Sequence, residues 1–278
     1  MTGRIIKIIS NEYTVLGDDN IAYLLKPRGK FRYDKAELKV GDIVEFDEST
    51  ITKIYERKNT FRRPFVSNVD YLIVVQSLKR PDISFELLDR FLVNAEIENV
   101  KPIIVFTKLD LLSKEEYDAL SPSLSYYEKY YNVFYSNYDG LVKREDFLNL
   151  LCYKISVITG QTGAGKSHLL NTLKEGLNLK TQDISDALNR GKHTTRHTEL
   201  INIDNAYIAD TPGFSSLELV DIKSSNLKEC FGEFVPHLNE CRFNECMHIS
   251  EPGCMIKELV IKGEILESRY SSYVKLYK

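Results

Sequence analysis

Residues 160–167 read Gly-Gln-Thr-Gly-Ala-Gly-Lys-Ser, or GQTGAGKS, and match the phosphate-loop pattern G-x-x-x-x-G-K-[ST]. Glycines let the backbone N–H groups of such a loop approach phosphate oxygens, because a Cβ atom would block the approach. Lys166 would place a positive charge on the β- and γ-phosphates, and Ser167 offers a hydroxyl ligand to Mg²⁺. An apolar run at 155–158 predicts a strand before the loop, and the pattern at 168–173 predicts a helix after it.

Two later segments fit the same kind of site. Residues 210–213 read DTPG at the end of an apolar run, so Asp210 would reach Mg²⁺ through water and the Gly213 N–H would meet the γ-phosphate. The polar segment 191–197 (GKHTTRH) lies where a first switch loop belongs, and either Thr194 or Thr195 would close over Mg²⁺. The expected nucleotide contacts of the phosphate loop are Gly160, Gln161, Thr162, Gly163, Ala164, Gly165, Lys166, Ser167 and His168.

A guanine-reading motif comes before the phosphate loop in this chain. Residues 107–110 read TKLD after the apolar run PIIVF, and Thr107 stands where Asn is common. Asp110 would accept hydrogen bonds from the N1–H and exocyclic amine of guanine, which adenine cannot donate, while Lys108 would lie along the base. A second role for Asp110, compatible with the first, is as the cap of a helix after the strand. Ser136-Asn137 is the expected backbone contact to the base, although the usual Ala-Lys after that Ser is missing.

The motif order indicates a circular permutation. Guanine motif, base loop, phosphate loop, first switch and second switch follow one another, whereas an ordinary GTPase begins with the phosphate loop. Domain termini usually lie at the surface and close together, so residues 141–153 can join the former ends. The strand-helix-strand rhythm from residue 69 onward predicts an α/β fold with a parallel sheet.

Residues 4–57 show a different pattern, with five short strands separated by turn signals. This predicts a small β-barrel of the OB-fold type, with an SH3-like barrel as the alternative. Basic clusters at 26–32 and 58–63 are either solvated faces or RNA contacts. The candidate RNA-binding residues are Lys26, Arg28, Lys30, Arg32, Arg62 and Arg63.

From about residue 221 the chain is predicted to be α-helical around a cysteine cluster. Cys241, Cys246, His248 and Cys254 supply three thiols and one imidazole, the ligand set of a closed structural Zn²⁺ site. Cys230 and His237 are predicted to be core residues instead. We therefore expect an RNA-binding barrel at 1–64, a permuted GTPase domain at 67–220 and a helical zinc domain at 221–278.

Composition narrows the class of protein further. The 278 residues are 43% hydrophobic and 28% charged with a net charge of −3, which is ordinary for a globular protein. No apolar run approaches the ~20 residues that span a bilayer, and the N-terminus does not resemble a secretory signal, so a cytoplasmic protein is expected. Residues 67–223 carry 17 basic and 22 acidic side chains and predict a poor RNA binder on their own.

The catalytic machinery is incomplete by the standard of Ras-type GTPases. These carry a Gln just after D-x-x-G to orient the attacking water, but here that position is Phe214. His193 in the first switch segment is the best candidate to position or deprotonate the water, and the alternative is a hydrogen bond within its own loop. Slow hydrolysis by the isolated protein is expected.

Taken together, TKLD, GQTGAGKS, GKHTTRHTEL, DTPGF and CRFNECMHISEPGC, in this order and flanked by a barrel, resemble the ribosome small-subunit-dependent GTPase A (RsgA) family. The resemblance covers nearly the whole chain. It implies a late assembly factor of the small (30S) ribosomal subunit that hydrolyses GTP when the particle stimulates it. The implied partners are GTP or GDP and the small subunit with its 16S rRNA, with no membrane, a monomeric state, one structural Zn²⁺ per chain and Mg²⁺ with GTP. A P-loop kinase or ATPase, and an RNA-binding module with a vestigial nucleotide site, are the competing hypotheses.

Overall fold

The computed structural model describes residues 1–9, 12–27, 37–61, 65–174, 176–177, 198–210 and 224–278. The strands in these ranges are β1 (Thr2–Ile9), β2 (Glu12–Gly17), β3 (Ala22–Pro27), β4 (Ile43–Phe46), β5 (Thr50–Ile54), β6 (Tyr71–Ser77), β7 (Lys101–Thr107), β8 (Asn132–Asn137), β9 (Gly140–Leu141), β10 (Ile155–Gly160), β11 (Thr198–Ile203) and β12 (Ala206–Asp210). The α-helices are α1 (Phe85–Ile97), α2 (Lys114–Tyr130), α3 (Arg144–Leu151), α4 (Lys166–Leu173), α5 (Met255–Ile261) and α6 (Glu267–Tyr277). Short 3-10 turns lie at Leu109–Leu111, Ser224–Cys230 and Val235–His237.

The first five strands close into a barrel. Their order is β1-β2-β3-β5-β4, with β4 pairing back onto β1, and β3 runs parallel to β5. Inward-facing side chains such as Ile5, Val15 and Leu25 fill the barrel and are at most 1% exposed. This strand order confirms the OB-like prediction over the SH3-like alternative.

A parallel sheet forms the centre of the molecule, in the order β12-β10-β6-β7-β8. Strand β6 is a nearly continuous apolar run because helices cover both of its faces. Leu72 and Val74 pack in the cluster that contains Leu88 and Leu92 of α1. Ile73 and Val75 pack in a second cluster with side chains of α3 and α4. The predicted α/β domain is therefore confirmed.

The predicted hairpin around Asp204-Asn205 is also present. Strands β11 and β12 are antiparallel, and both turn residues have positive φ angles of 48° and 67°. The sequence did not predict that β1 of the barrel pairs with β11, with Lys7 opposite Glu199 and Ile8 opposite Thr198. Barrel and central sheet thus form one hydrogen-bonded array of twelve strands within the described residues.

Residues 224–278 contain helices and 3-10 turns and no strand, as predicted. Their core consists of aromatic and aliphatic side chains together with three buried cysteines, and it includes Val93 of α1. The C-terminal segment therefore lies on the outer side of the helix that covers β6. Within the described part of the chain, no helix has both the length and the apolar character needed to cross a membrane.

Candidate nucleotide site and metal centre

The phosphate loop links β10 to α4, as the sequence predicts. Gly160, Gly163 and Gly165 have φ angles of 141°, 77° and 94°, which side chains with a Cβ rarely adopt. A Cβ at Gly160 would lie 2.0 Å from the carbonyl oxygen of Val75 in β6. Glycine is therefore required here both for the backbone angle and for the close contact with the neighbouring strand.

Lys166 begins α4 and is almost fully buried, at 2% exposure. Its ammonium group donates to the carbonyl oxygens of Gly160 at 2.7 Å and Gln161 at 2.9 Å. Burial lowers the pKa of Lys166 to about 8. A negatively charged phosphate would favour the charged ammonium, so the loop holds a lysine whose positive charge an anion would stabilise. Ser167 and His168 follow on the first turn of α4 and are half-buried.

The guanine motif is hydrogen-bonded directly to this loop. The Thr107 hydroxyl donates to the carbonyl oxygen of Ala164 at 2.6 Å. Lys108, in a left-handed conformation with φ 61°, donates to the Gly163 carbonyl at 2.8 Å and to the Arg80 carbonyl. Two segments more than fifty residues apart in sequence are therefore joined by hydrogen bonds from both Thr107 and Lys108.

Asp110 lies exposed in the 3-10 turn that follows β7. The second role, in which Asp110 caps the next helix, is wrong, because Ser113 is the N-cap of α2. The Ser113 hydroxyl accepts from the Glu116 N–H at 3.2 Å, and the Glu116 carboxylate accepts from the Ser113 N–H at 2.8 Å. The Asp110 carboxylate is thus not used as a helix cap.

The predicted base loop joins β8 to β9 close to the phosphate helix. Ser136 is 1% exposed, and its hydroxyl donates to the Gly140 carbonyl at 3.1 Å. The next turn residue, Tyr138, is 80% exposed, and its carbonyl oxygen lies 3.0 Å from Nε2 of His168. The loop therefore sits beside the first turn of α4.

Several predicted residues lie outside the described part of the chain. They are the catalytic candidate His193, the Mg²⁺ candidates Thr194 and Thr195, Gly213, and the RNA-binding candidates Arg28, Lys30, Arg32, Arg62 and Arg63. The side chain of Asp210 belongs with them, although its backbone ends β12 next to β10. Lys26, the remaining RNA-binding candidate, is exposed near the end of β3.

The four predicted metal ligands converge. One ligand atom from each of Cys241, Cys246, His248 and Cys254 lies within 4.8 Å of all the others. Nδ1 of His248 is the atom that faces the thiols, at 3.5 Å from Sγ of Cys241 and 3.4 Å from Sγ of Cys254. Ligand atoms about 2.3 Å from a tetrahedral Zn²⁺ are about 3.8 Å apart, so this cluster fits a metal ion of that kind.

Neighbouring groups shape the cluster through hydrogen bonds that the sequence analysis did not predict. The Glu251 carboxylate accepts from the N–H groups of Met247, Ile249 and Ser250 at 2.8, 2.9 and 3.0 Å, which holds the turn between two ligands. The Met255 N–H donates to Sγ of Cys241 at 3.3 Å. Burial, with the neighbouring cysteines, raises the pKa of Cys254 to about 12. A bound cation would reverse this shift, because it stabilises thiolates.

Cys230 and His237, which were predicted to be core residues rather than metal ligands, lie in different environments. Cys230 is buried in the core of the C-terminal segment, as predicted. His237 is not a core residue, because its ring is partly exposed and Nδ1 lies 2.7 Å from the Glu240 carboxylate.

The sequence analysis also gave no signal for Arg269, the largest fully buried side chain among the described residues. Its guanidinium group donates to Asp89 of α1 at 2.7 Å and to both carboxylate oxygens of Glu233 at 2.6 and 3.0 Å. A buried cation is tolerated only when such partners surround it. This cluster fixes α6 of the C-terminal segment to α1 of the central domain.

The fold and the joined motifs define a circularly permuted GTPase. The family model described as RsgA GTPase matches residues 54–220, and the one described as RsgA N-terminal domain matches residues 2–55. The chain therefore belongs to the RsgA GTPase family.

Named relatives and solved structures match this chain over nearly its full length. The small ribosomal subunit biogenesis GTPase RsgA of Leuconostoc citreum is 43% identical, covering 99% of this chain and 94% of its own. The protein of the same name from Shouchella clausii is also 43% identical, over 98% and 95% of the two chains. Among solved structures, YjeQ from Thermotoga maritima superposes with a TM-score of 0.86 at 35% identity over 99% and 96% of the chains. YloQ, described as a circularly permuted GTPase, gives 0.83 at 34% identity over 99% and 93%.

Proposed function

We propose that this protein hydrolyses GTP while docked on the small ribosomal subunit and acts late in the assembly of that particle. The observation that carries the proposal is the pair of hydrogen bonds from Thr107 to Ala164 and from Lys108 to Gly163. They hold a base-reading motif and a phosphate loop in one geometry, which an RNA-binding module without nucleotide function would not need. The names of the relatives supply the ribosomal part of the proposal.

In the proposed complex, the phosphate loop surrounds the phosphates with its N–H groups while Lys166 turns from the Gly160 and Gln161 carbonyls to the β- and γ-oxygens. Asp110 reads the guanine edge. Ser167, Asp210 and either Thr194 or Thr195 would hold Mg²⁺, which supplies positive charge at the phosphates when bound. Gly213 would contact the γ-phosphate. This arrangement favours GTP over ATP, because the Asp110 carboxylate needs the donor pair that adenine lacks.

For hydrolysis, we propose that His193 positions the attacking water. Phe214 stands where Ras-type enzymes have Gln, and a phenyl ring can neither donate nor accept a hydrogen bond. The docked particle would then bring the missing group into place.

Docking is proposed to use the barrel and its basic clusters, with 16S rRNA as the target. Lys26 is exposed and available for phosphate contacts. The proposed domains are 1–64, 67–220 and 221–278, and the protein is proposed to work as a monomer in the cytoplasm, away from membranes. One Zn²⁺ per chain in the Cys₃His cluster would stabilise the C-terminal segment, which has a small core of its own.

The test is hydrolysis of GTP with and without purified small subunits, with ATP as the matched control substrate. The wild-type protein should be slow alone and faster with the particle, and ATP should be a poor substrate. His193→Ala should still bind GTP and the particle but lose the stimulation. An absence of stimulation, or equal turnover of ATP, would contradict the proposed function. Normal stimulated turnover by His193→Ala would remove only the role of His193.

A further inference from the structure

We propose that Tyr138 is the aromatic surface on which the base of the bound nucleotide stacks, opposite the side chain of Lys108. This inference rests on the proposed function, since it names a further residue of the same nucleotide site. Tyr138 lies in the same loop as the predicted backbone contact at Ser136-Asn137, where the usual Ala-Lys is missing.

Hydrogen bonds fix the conformation of the turn that carries Tyr138. The Ser136 hydroxyl donates to the Gly140 carbonyl at 3.1 Å, and the Gly140 N–H donates to the Asn137 side-chain oxygen at 3.1 Å. These bonds close the turn across Tyr138 and Asp139, so both side chains point away from it. Because the turn is already ordered by these hydrogen bonds, binding a nucleotide against the Tyr138 ring would cost little conformational entropy.

His168 attaches this turn to the phosphate helix. A carbonyl oxygen can only accept a hydrogen bond, so Nε2 of His168 carries the proton that it donates to Tyr138 O at 3.0 Å. The imidazole also stacks with the Tyr138 ring, at 6.0 Å between centroids and 28° between planes. His168 directly follows Ser167, so the ring of Tyr138 is held next to the residues that would bind the phosphates.

The guanine motif reaches the same edge of the sheet. Strands β7 and β8 are parallel, with Phe106 opposite Tyr135, so Lys108 and Tyr138 both lie just beyond the paired ends. The Leu109–Leu111 turn packs close to β8. Because Lys108 is bonded to Gly163 and Tyr138 to His168, the two side chains flank the phosphate loop from neighbouring strands.

An exposed tyrosine at a hairpin tip is unremarkable by itself, because much of a protein surface is apolar. Tyr138 differs in that its ring lies 6.0 Å from the ring of His168 and within 28° of parallel to it, while the residue remains 80% exposed. Base-aromatic stacking is insensitive to base identity, since every base has a π-face. Tyr138 would therefore contribute affinity, and the choice of guanine would stay with Asp110.

Because the chain contains no tryptophan, a tryptophan introduced by mutation can serve as a fluorescence probe of nucleotide binding. Tyr138→Trp introduces a single indole whose fluorescence a stacked guanine should quench. Tyr153, which is 69% exposed and precedes β10, is the matched control position. The measurements are GDP affinity by calorimetry for Tyr138→Ala, Tyr138→Phe and Tyr153→Ala, and GDP-dependent emission of Tyr138→Trp and Tyr153→Trp, all in the full-length protein.

Tyr138→Ala should weaken GDP binding about 5- to 150-fold, the range for losing one base-aromatic stack, while its resistance to urea stays unchanged. Tyr138→Phe, which keeps the ring, and Tyr153→Ala should bind GDP like the wild type. GDP should quench Tyr138→Trp and not Tyr153→Trp. Wild-type GDP affinity in Tyr138→Ala, or emission from Tyr138→Trp that ignores saturating GDP, would overturn the inference and leave the proposed GTPase intact. A wild-type protein that binds no GDP would overturn both.

Discussion

Arg269 of α6 and Asp89 of α1 form an ion pair in which neither side chain is exposed, with 2.7 Å between Nη1 and Oδ1. Glu233 completes the cluster at 2.6 Å, and the Tyr127 hydroxyl donates to Asp89 at the same distance. The C-terminal segment is thus joined to the nucleotide-binding domain through charges that water does not reach. Helix α1 begins shortly after Arg80, whose carbonyl accepts from Lys108, so one short stretch of chain lies between the guanine motif and this cluster.

Replacing Arg269 with an uncharged residue should destabilise the folded protein. We expect Arg269→Met to lower the free energy of unfolding by about 3–5 kcal/mol, because it leaves two buried carboxylates without their partner. Urea unfolding at neutral pH measures this change. Lys275→Met is the matched control, since Lys275 makes an exposed pair with Glu86 and should change stability by less than about 1 kcal/mol. Equal effects of the two substitutions would show that the buried cluster has no special role.

The hydroxyl of Thr107 should matter for both stability and nucleotide binding. Thr107→Val keeps the shape but leaves the buried Ala164 carbonyl without its donor, which should cost about 1–3 kcal/mol of stability. GDP affinity should fall with it, because the guanine motif loses one of its hydrogen bonds to the phosphate loop. Thr107→Ser restores the donor and should recover most of both losses. If the serine variant is as weak as the valine variant, the hydrogen bond is not the cause.

The stability of the ligand-free protein should depend on the ionisation of Lys166. Its pKa is lowered from the usual 10.5 to about 8 by burial, so between these values the unfolded chain binds a proton that the folded chain has lost. The contribution of Lys166 to stability should therefore rise as the pH increases from about 8 to about 10, and it is least favourable below pH 8. The measurement is the free energy of unfolding of wild type minus that of Lys166→Met across this range. A difference that stays constant over this range would contradict the prediction.

Nucleotide preference should change at Asp110. Asp110→Asn should weaken GTP binding and favour xanthosine triphosphate, because xanthine has a carbonyl where guanine has an amine and an amide can donate to it. The loss of a charged hydrogen bond is worth about 1.5–3 kcal/mol, or about a 10- to 150-fold change in affinity. Competition between the two nucleotides measures it. If Asp110→Asn binds GTP with wild-type affinity, Asp110 does not contact the guanine base.

Metal removal should affect the C-terminal segment first. A chelator, or Cys241→Ser, should remove the hydrogen-exchange protection of residues 224–278 while leaving GTP binding largely intact, because all four ligands lie after residue 240. Cys152→Ser, at a half-buried cysteine outside the cluster, is the control. Elemental analysis of the purified protein should give one zinc per chain. Full hydrogen-exchange protection of residues 224–278 in a metal-free protein would contradict a stabilising role for the metal.

Residue patterns predicted the parts of this fold that short-range chemistry determines. Glycine spacing predicted the phosphate loop, alternating strands predicted the barrel, and ligand types predicted the Cys₃His cluster. Pairings between distant segments left no local signal. Arg269 is an unremarkable helix residue in sequence, and only the packed structure brings it to Asp89 and Glu233. The role of Asp110 as a helix cap was a reasonable local alternative, but Ser113 three residues later is the stronger cap.

The pairing of β1 with β11 connects the barrel to the strand that follows the predicted switch segment. Lys7 and Ile8 are in register with Glu199 and Thr198, and the Lys7 ammonium lies 2.5 Å from the Glu199 carboxylate. Thr198 is the first residue after the predicted switch segment 191–197. If the particle docks on the barrel as proposed, a displacement of β1 would be transmitted through this ladder to the residue directly beside that segment. If His193 acts as proposed, the particle and the catalytic candidate would thus be coupled through the backbone of β1 and β11 rather than through a flexible linker.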